Sequence, residues 1–429
     1  MTNRFVSLVL VAGALSAVLS GCGGGGGSDG GSSSGNSTTS AAPASAPSAT
    51  SATSSPASAP AASAPASVPQ SNTPNTQPIA VTTAPGLTRN MLTTSVTVCV
   101  PGTSECATID NIQVDTGSQG LRILASAIPA SLQLAALPSG SGYAGECAVF
   151  GGGYTWGAVR SADVRMAGQL AASLPVQLIA DPSVPSVPSD CAGTGLAMQT
   201  GATLRSNGIL GVGLFSADCG SDCATSALPR WYYSCNASGV CQTSSQPLAQ
   251  QVTNPVSAFP LDNNGVVIDL PSVPDAGAAN VAGSLIFGIG TQADNVPGSV
   301  TILKANPQSG YVTTTSNGQT YPLSYLDTGS NALYMANAGM PECGMWYCPA
   351  TTQAQNAVIA GTDGATTAVA FSVANATSLF NSSNNAFDNL AGIASNSFGW
   401  GLPFFFGRRV YTAIEARVTA AGVGPYYAF

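Results

Sequence analysis

One nine-residue pattern occurs twice in this chain. Gln113-Val114-Asp115-Thr116-Gly117-Ser118-Gln119-Gly120-Leu121 recurs as Tyr325-Leu326-Asp327-Thr328-Gly329-Ser330-Asn331-Ala332-Leu333. Each copy sets an apolar residue before Asp-Thr-Gly-Ser, two small or polar residues after it, and then a leucine. A single Asp-Thr-Gly-Ser is an ordinary turn composition. Two copies in matching apolar contexts, 212 residues apart, are far more restrictive. They point to two similar folded halves that each contribute one carboxylate.

The sequence around the repeat reads as β structure. Short runs rich in Val, Ile, Thr, Tyr and Phe alternate with Gly, Pro, Asn and Asp turns, as at 96–100, 112–114, 164–166, 266–270 and 300–303. No long apolar repeat of helical period interrupts them. Short helices are expected only at 121–128 or 132–137. Asp163 and Asp269 lie among alternating strand residues and read as solvated. The expected fold class is therefore all-β.

Composition removes several chemistries. The chain has no His, which excludes Ser-His-Asp and Cys-His catalysis, imidazole bases and His-ligated zinc. A net charge of −8 with a single lysine, Lys304, argues against nucleic acid as a partner. No cofactor or metal is expected, since no His or Cys-x-x-Cys accompanies the cysteines.

The N-terminal region reads as export and tethering. Residues 1–22 carry Arg4, then an apolar run of about 15 residues, too short to favour a membrane span. The run ends in Leu19-Ser20-Gly21-Cys22, which resembles the lipobox of bacterial lipoproteins. The resemblance implies that Cys22 is lipidated and anchors the chain in a bilayer. It also implies a cell-envelope location, and Gly23 in place of Asp favours the outer membrane. Residues 23–77 are mostly Gly, Ser, Ala, Thr and Pro, which bury too little to fold and are expected to be a disordered tether. Ten cysteines remain, an even number in an exported chain, so disulfides are expected. Four pairs are close in sequence (99/106, 219/223, 235/241 and 343/348), which leaves Cys147 with Cys191. Connectivity is not fixed by sequence alone, and the run from Cys219 to Cys241 has other possible pairings.

The repeat and its companions resemble the pepsin-like aspartic peptidases. That family carries an apolar-Asp-Thr-Gly-Ser/Thr loop in each of two lobes, with a later apolar-Gly strand threading beneath each loop. Asn207-Gly208-Ile209-Leu210-Gly211-Val212-Gly213-Leu214 looks like the first such strand, and the stretch from Trp400 to Thr412 like the second, with Leu402 where Asp is usual. Ala282-Gly283-Ser284-Leu285-Ile286-Phe287-Gly288-Ile289-Gly290 looks like the opening strand of the second lobe. The resemblance implies a bilobal β fold, with lobes at 78–255 and 256–429 and a cleft between them. It implies catalysis by Asp115 and Asp327 acting on a water. Gly117 and Gly329 would let the backbone approach closely, Ser118 and Ser330 would bond the outer carboxylate oxygens, and Thr116 and Thr328 would cross-link the loops.

The family also has a hairpin flap with a Tyr near its tip. Its best match here is Val149-Phe150-Gly151-Gly152-Gly153-Tyr154-Thr155-Trp156-Gly157. Phe150 stands where that Tyr is expected, and Arg122 where the family has the Trp that bonds it. Tyr154 or Trp156 is therefore expected to cover the site. The primary expectation is a tethered aspartic endopeptidase, monomeric, acting on peptide or unfolded-protein substrate. The alternatives are a non-catalytic peptide- or glycan-binding lipoprotein on the same fold, and a structural envelope lipoprotein whose paired loops serve only symmetry.

Overall fold

The segment Leu92–Cys99 shows why such runs become strands. Leu92, Thr94, Val96 and Val98 are buried while the residues between them are half-buried, and β-branched side chains suit that pleated surface. A computed structural model describes residues 73–429 of the chain. It is all-β, and its helices are turns of three to five residues. The export signal, Cys22 and most of the expected tether lie outside the described residues.

Two sheets carry the fold. The larger has 16 strands and runs unbroken from the first half of the sequence into the second. The join is Thr76–Val81, which pairs antiparallel with Val281–Phe287 on one side and with Leu92–Cys99 on the other. Beyond Val281–Phe287 the sheet continues through Gly265–Leu270, Arg408–Ala413, Tyr426–Ala428 and Ile302–Lys304. The second sheet has nine strands, drawn from Val312–Ser316 through Phe398–Trp400. Aromatic packing anchors it. Phe398 and Trp400 stack with ring centroids 4.5 Å apart, Phe404 meets Trp400 at 5.3 Å, and Trp400 Nε1 donates to Thr314 Oγ1 at 2.9 Å. Truncating a fully buried Trp of this kind to Ala costs about 3–5 kcal/mol.

Five disulfides close, Cys99–Cys106, Cys147–Cys191, Cys219–Cys223, Cys235–Cys241 and Cys343–Cys348. Only Cys147–Cys191 spans a long stretch, with a sequence separation of 44.

Three expectations are corrected. Strand structure is already present before the composition shift at Pro78. Asn75 is buried and its side-chain amide donates to Phe287 O, and the polar, Pro-containing strand Thr76–Val81 is recruited by pairing on both edges. No α-helix spans 121–128, where only a single 3-10 turn, Ala125–Ala127, forms. Gln119–Leu124 is a strand held between Gly208–Val212 and Gln169–Ile179, followed by the turn Ala125–Ala127. No helix forms over 132–137 either. The stretch from Trp400 to Thr412 leaves the strand Phe398–Trp400, passes through the helical turn Leu402–Phe405 and enters the later strand Arg408–Ala413.

Candidate active site

Each Asp-Thr-Gly-Ser loop leaves the end of one strand and is undercut by another. In the first copy, Gly208–Val212 runs parallel to Cys106–Asp115 and antiparallel to Gln119–Leu124, so it passes directly beneath the loop. In the second, Phe398–Trp400 runs parallel to Gln319–Leu326 and meets Tyr334 on the other side. A Cβ at Gly211 would lie 2.6 Å from the Gln119 backbone, so only glycine admits this crossing.

The two loops hold their carboxylates alike. Asp115 Oδ1 accepts from Gly117 N at 2.7 Å and Oδ2 from Ser118 Oγ at 2.5 Å. Asp327 Oδ1 accepts from Gly329 N at 2.7 Å and Oδ2 from Ser330 Oγ at 2.6 Å. The threonines cross between loops. Thr116 Oγ1 accepts from Thr328 N at 3.0 Å and donates to Leu326 O at 3.2 Å. Thr328 Oγ1 accepts from Thr116 N at 3.1 Å and donates to Val114 O at 2.8 Å. Each bond contributes about 1 kcal/mol net, and removing one hydroxyl strands a buried N–H at about 1–3 kcal/mol. Gln113 adds a fifth crossing, its Nε2 donating to Gly329 O at 3.0 Å.

This lattice brings the carboxylates together. A Cβ placed on Gly329 would sit 2.6 Å from Asp115 Oδ1 and 3.0 Å from Asp327 Oδ1. The two oxygens are therefore no farther apart than the sum of those distances, close enough for strong Coulombic coupling in a buried site. Both side chains are buried. Burial, and then the charge and hydrogen bonding of Asp115, push the Asp327 carboxyl well above its ordinary range, against the lowering by Ser330 and Gly329. A pair so placed titrates as a unit and favours the state with one proton.

A cavity of about 180 Å³ opens over the pair. Asp115, Asp327, Gly329 and Ser330 form part of its lining, and Phe150, Gly151 and Gly152 come to it from the tip of the hairpin Gly142–Phe150/Gly153–Met166. Tyr154 and Trp156 do not line it. They share one face of the second hairpin strand, pointing away from the cleft into a cluster with Cys147, Val184, Cys191 and Tyr233, where Trp156 Nε1 donates to Val184 O at 2.8 Å. The expectation that either covers the site is corrected. The opposite face of that hairpin is the one turned to the aspartates, and Phe150 is its aromatic group.

Arg122 occupies the space beneath Phe150. Its guanidinium lies 5.6 Å from the Phe150 ring centroid and is fully buried. It pairs with Glu146 at 2.5 Å and Asp218 at 3.2 Å, and Tyr232 donates to Asp218 at 2.6 Å. Burial pushes the Glu146 carboxyl well up, opposed by Arg122 and reinforced by Asp218. A buried charged cluster thus lies under the hairpin tip.

The cavity also takes residues that carry no motif: Asn90, Met91, Leu196, Met198, Arg205 and Tyr334. Gln113 opens the first copy of the repeated pattern and Tyr334 directly follows the second, so both were recoverable from it. Leu196, Met198 and Arg205 had no local signal. Among the described residues no group of three or more His, Cys, Asp or Glu side chains converges to hold a metal ion.

A family profile described as "Protein of unknown function (DUF3443)" matches residues 71–429. The chain belongs to this family. Both aspartate loops and all ten of the cysteines that pair fall within the DUF3443 region. No curated protein matches the sequence.

Proposed function

We propose that this DUF3443 chain is an aspartic endopeptidase with the bilobal pepsin-like fold, exported and held at the outer membrane by a lipidated Cys22. The observation that carries the reading is the pair of buried carboxylates, Asp115 and Asp327, held against each other by reciprocal threonine bonds at the floor of a cavity. In the one-proton state the ionised carboxylate takes a proton from water as its oxygen attacks the scissile carbonyl carbon. The protonated partner gives its proton to the carbonyl oxygen, which yields a neutral tetrahedral diol. Collapse returns one proton to the leaving amine and the other to the pair, so the dyad ends as it began. Burial raises the Asp327 carboxyl, and the pair holds its one proton as a unit, so the roles of acid and base belong to the pair.

A second reading is favoured by one observation. The hairpin tip presents Phe150, which has no hydroxyl, and Arg122 beneath it is committed to Glu146 and Asp218. A cleft so covered suits a non-catalytic peptide- or glycan-binding lipoprotein. The two separate on one experiment. The full chain incubated with an unfolded protein between about pH 3 and 7 should cleave it with a bell-shaped profile, since both fully ionised and fully protonated pairs are inactive. Asp115→Asn and Asp327→Asn should each abolish cleavage while retaining the native thermal transition. If no pH yields cleavage that Asp115→Asn removes, while peptide or glycan still binds, the binding module is the correct reading.

A further inference from the structure

The cavity over the aspartates has one cation in its lining. Arg205 contributes to it, and no other basic residue does. Its side chain is exposed, and no carboxylate pairs with it among the ion pairs of the described residues. By contrast Arg122 pairs with Glu146 and Asp218, Arg160 with Asp181, and Arg409 with Asp269. Arg205 stands across the cleft from the second loop, close enough for its charge to be felt at Tyr334, whose hydroxyl donates to Asn331 Oδ1 at 2.8 Å.

The backbone holds the guanidinium in this place. Arg205 closes the turn Gly201–Leu204, which Thr200 caps by accepting from Thr203 N. Leu204 roots that turn in a cluster with Leu124, Ile179, Met198 and Ile209. Arg205 itself has φ 67 and ψ 7, the left-handed conformation in which helix ends ordinarily carry glycine or asparagine. A long charged side chain there is locally unfavourable, and such residues concentrate at binding sites. The dyad with one proton contributes net negative charge to the cleft, as does the chain as a whole at −8. A substrate carboxylate entering this cleft is repelled everywhere except beside Arg205.

We infer that Arg205 is a specificity-determining residue that binds a carboxylate of the substrate near the scissile bond. The inference rests on the peptidase reading for the nature of that substrate. The carboxylate is either an acidic side chain or a chain-terminal carboxyl group, and the chemistry of recognition is the same for both.

The test uses the full chain and quenched fluorogenic peptides. One set is amidated and differs by Glu or Gln at single positions, and a second differs only by a free or amidated C-terminus. At pH 5.5 and low salt, one carboxylate-bearing position should raise kcat/KM about fivefold or more over its neutral counterpart. The advantage should shrink in high salt and fade as pH drops through the substrate carboxyl's own pKa, about 4.3 for Glu and about 3.5 for a chain terminus. It should fall to parity in Arg205→Gly, whose backbone suits the left-handed conformation, and in Arg205→Gln, and survive in part in Arg205→Lys. The Glu set and the terminal set then tell which source the site reads. Equal rates for all pairs in the native chain, or a preference unchanged in Arg205→Gly, would overturn the inference and leave the peptidase standing. If no peptide is cleaved, the peptidase reading fails, and anisotropy titration of the same peptides decides. Tighter binding of a carboxylate peptide that Arg205→Gly abolishes sustains the site; equal or absent binding overturns it.

Discussion

Gly329 is the tightest residue position in the site. Its missing Cβ would stand between the two carboxylates, within 3.0 Å of both. Neither can retreat without giving up its serine and backbone N–H bonds. Gly329→Ala should therefore abolish turnover while the native circular-dichroism spectrum persists; retained activity would show that the carboxylates act apart. Glu146 and Asp327 give the molecule a pH signature. In both, burial raises the carboxyl above its ordinary range, so each releases its proton at higher pH in the folded state than in the unfolded chain. The folded state thus binds more protons above that range, so stability is greatest in acid and falls as pH rises from about 4. Thermal midpoints measured from about pH 4 to 8 should decline, and Glu146→Gln should flatten the decline; identical slopes for both proteins would remove Glu146 from this role. Asp115 and Asp327 were legible because a repeated turn motif surrounds each. Asp163 was misread as solvated: it is buried, and accepts from Gly102 N and Ser173 N, partners that are distant in sequence or around a turn. Asp269 is solvent-facing beside Arg409, as its alternation implied.

At the scale of the element, the hairpin Gly142–Phe150/Gly153–Met166 decides the shape of the cleft. Residues 153–159 are all buried, so alternation carries no information about which face meets the aspartates, and sequence could not tell Tyr154 from Phe150 as the covering aromatic. The answer lies in the disulfide Cys147–Cys191, which fastens the loop bearing Leu196 and Met198 to the hairpin's far side. Tyr154 N donates to Leu196 O at 2.9 Å and Met198 N to Tyr154 O at 2.8 Å, which carries that loop into the cavity wall. Replacing both cysteines with serine should lower stability by about 4 kcal/mol on the chain-entropy account. It should also raise KM more than it lowers kcat, because the wall loosens while the dyad does not. Denaturant midpoints and steady-state kinetics check the two parts. An unchanged KM would detach the loop from substrate binding. Strand positions were largely readable from alternation and turn residues, whereas Thr76–Val81 was hidden because its composition is that of the segment before it.

Over the whole molecule, the 16-stranded sheet leaves no strand boundary at which the first and second halves of the sequence could melt separately. Its two parts are joined through Thr76–Val81 and again through the threonine lattice beneath the aspartates. Residues 73–429 should unfold in one calorimetric transition with equal calorimetric and van't Hoff enthalpies; two resolved transitions would contradict this. The disulfides have an order as well as a location. Each of the five disulfides joins two cysteines that are neighbours in the order of these ten along the chain, the long link included. Within residues 73–429, an oxidant that closed each thiol onto the following free one in chain order would make this set without error. Assembly of the cross-links is then a matter of emergence alone, with no shuffling step required and no wrong bond to undo.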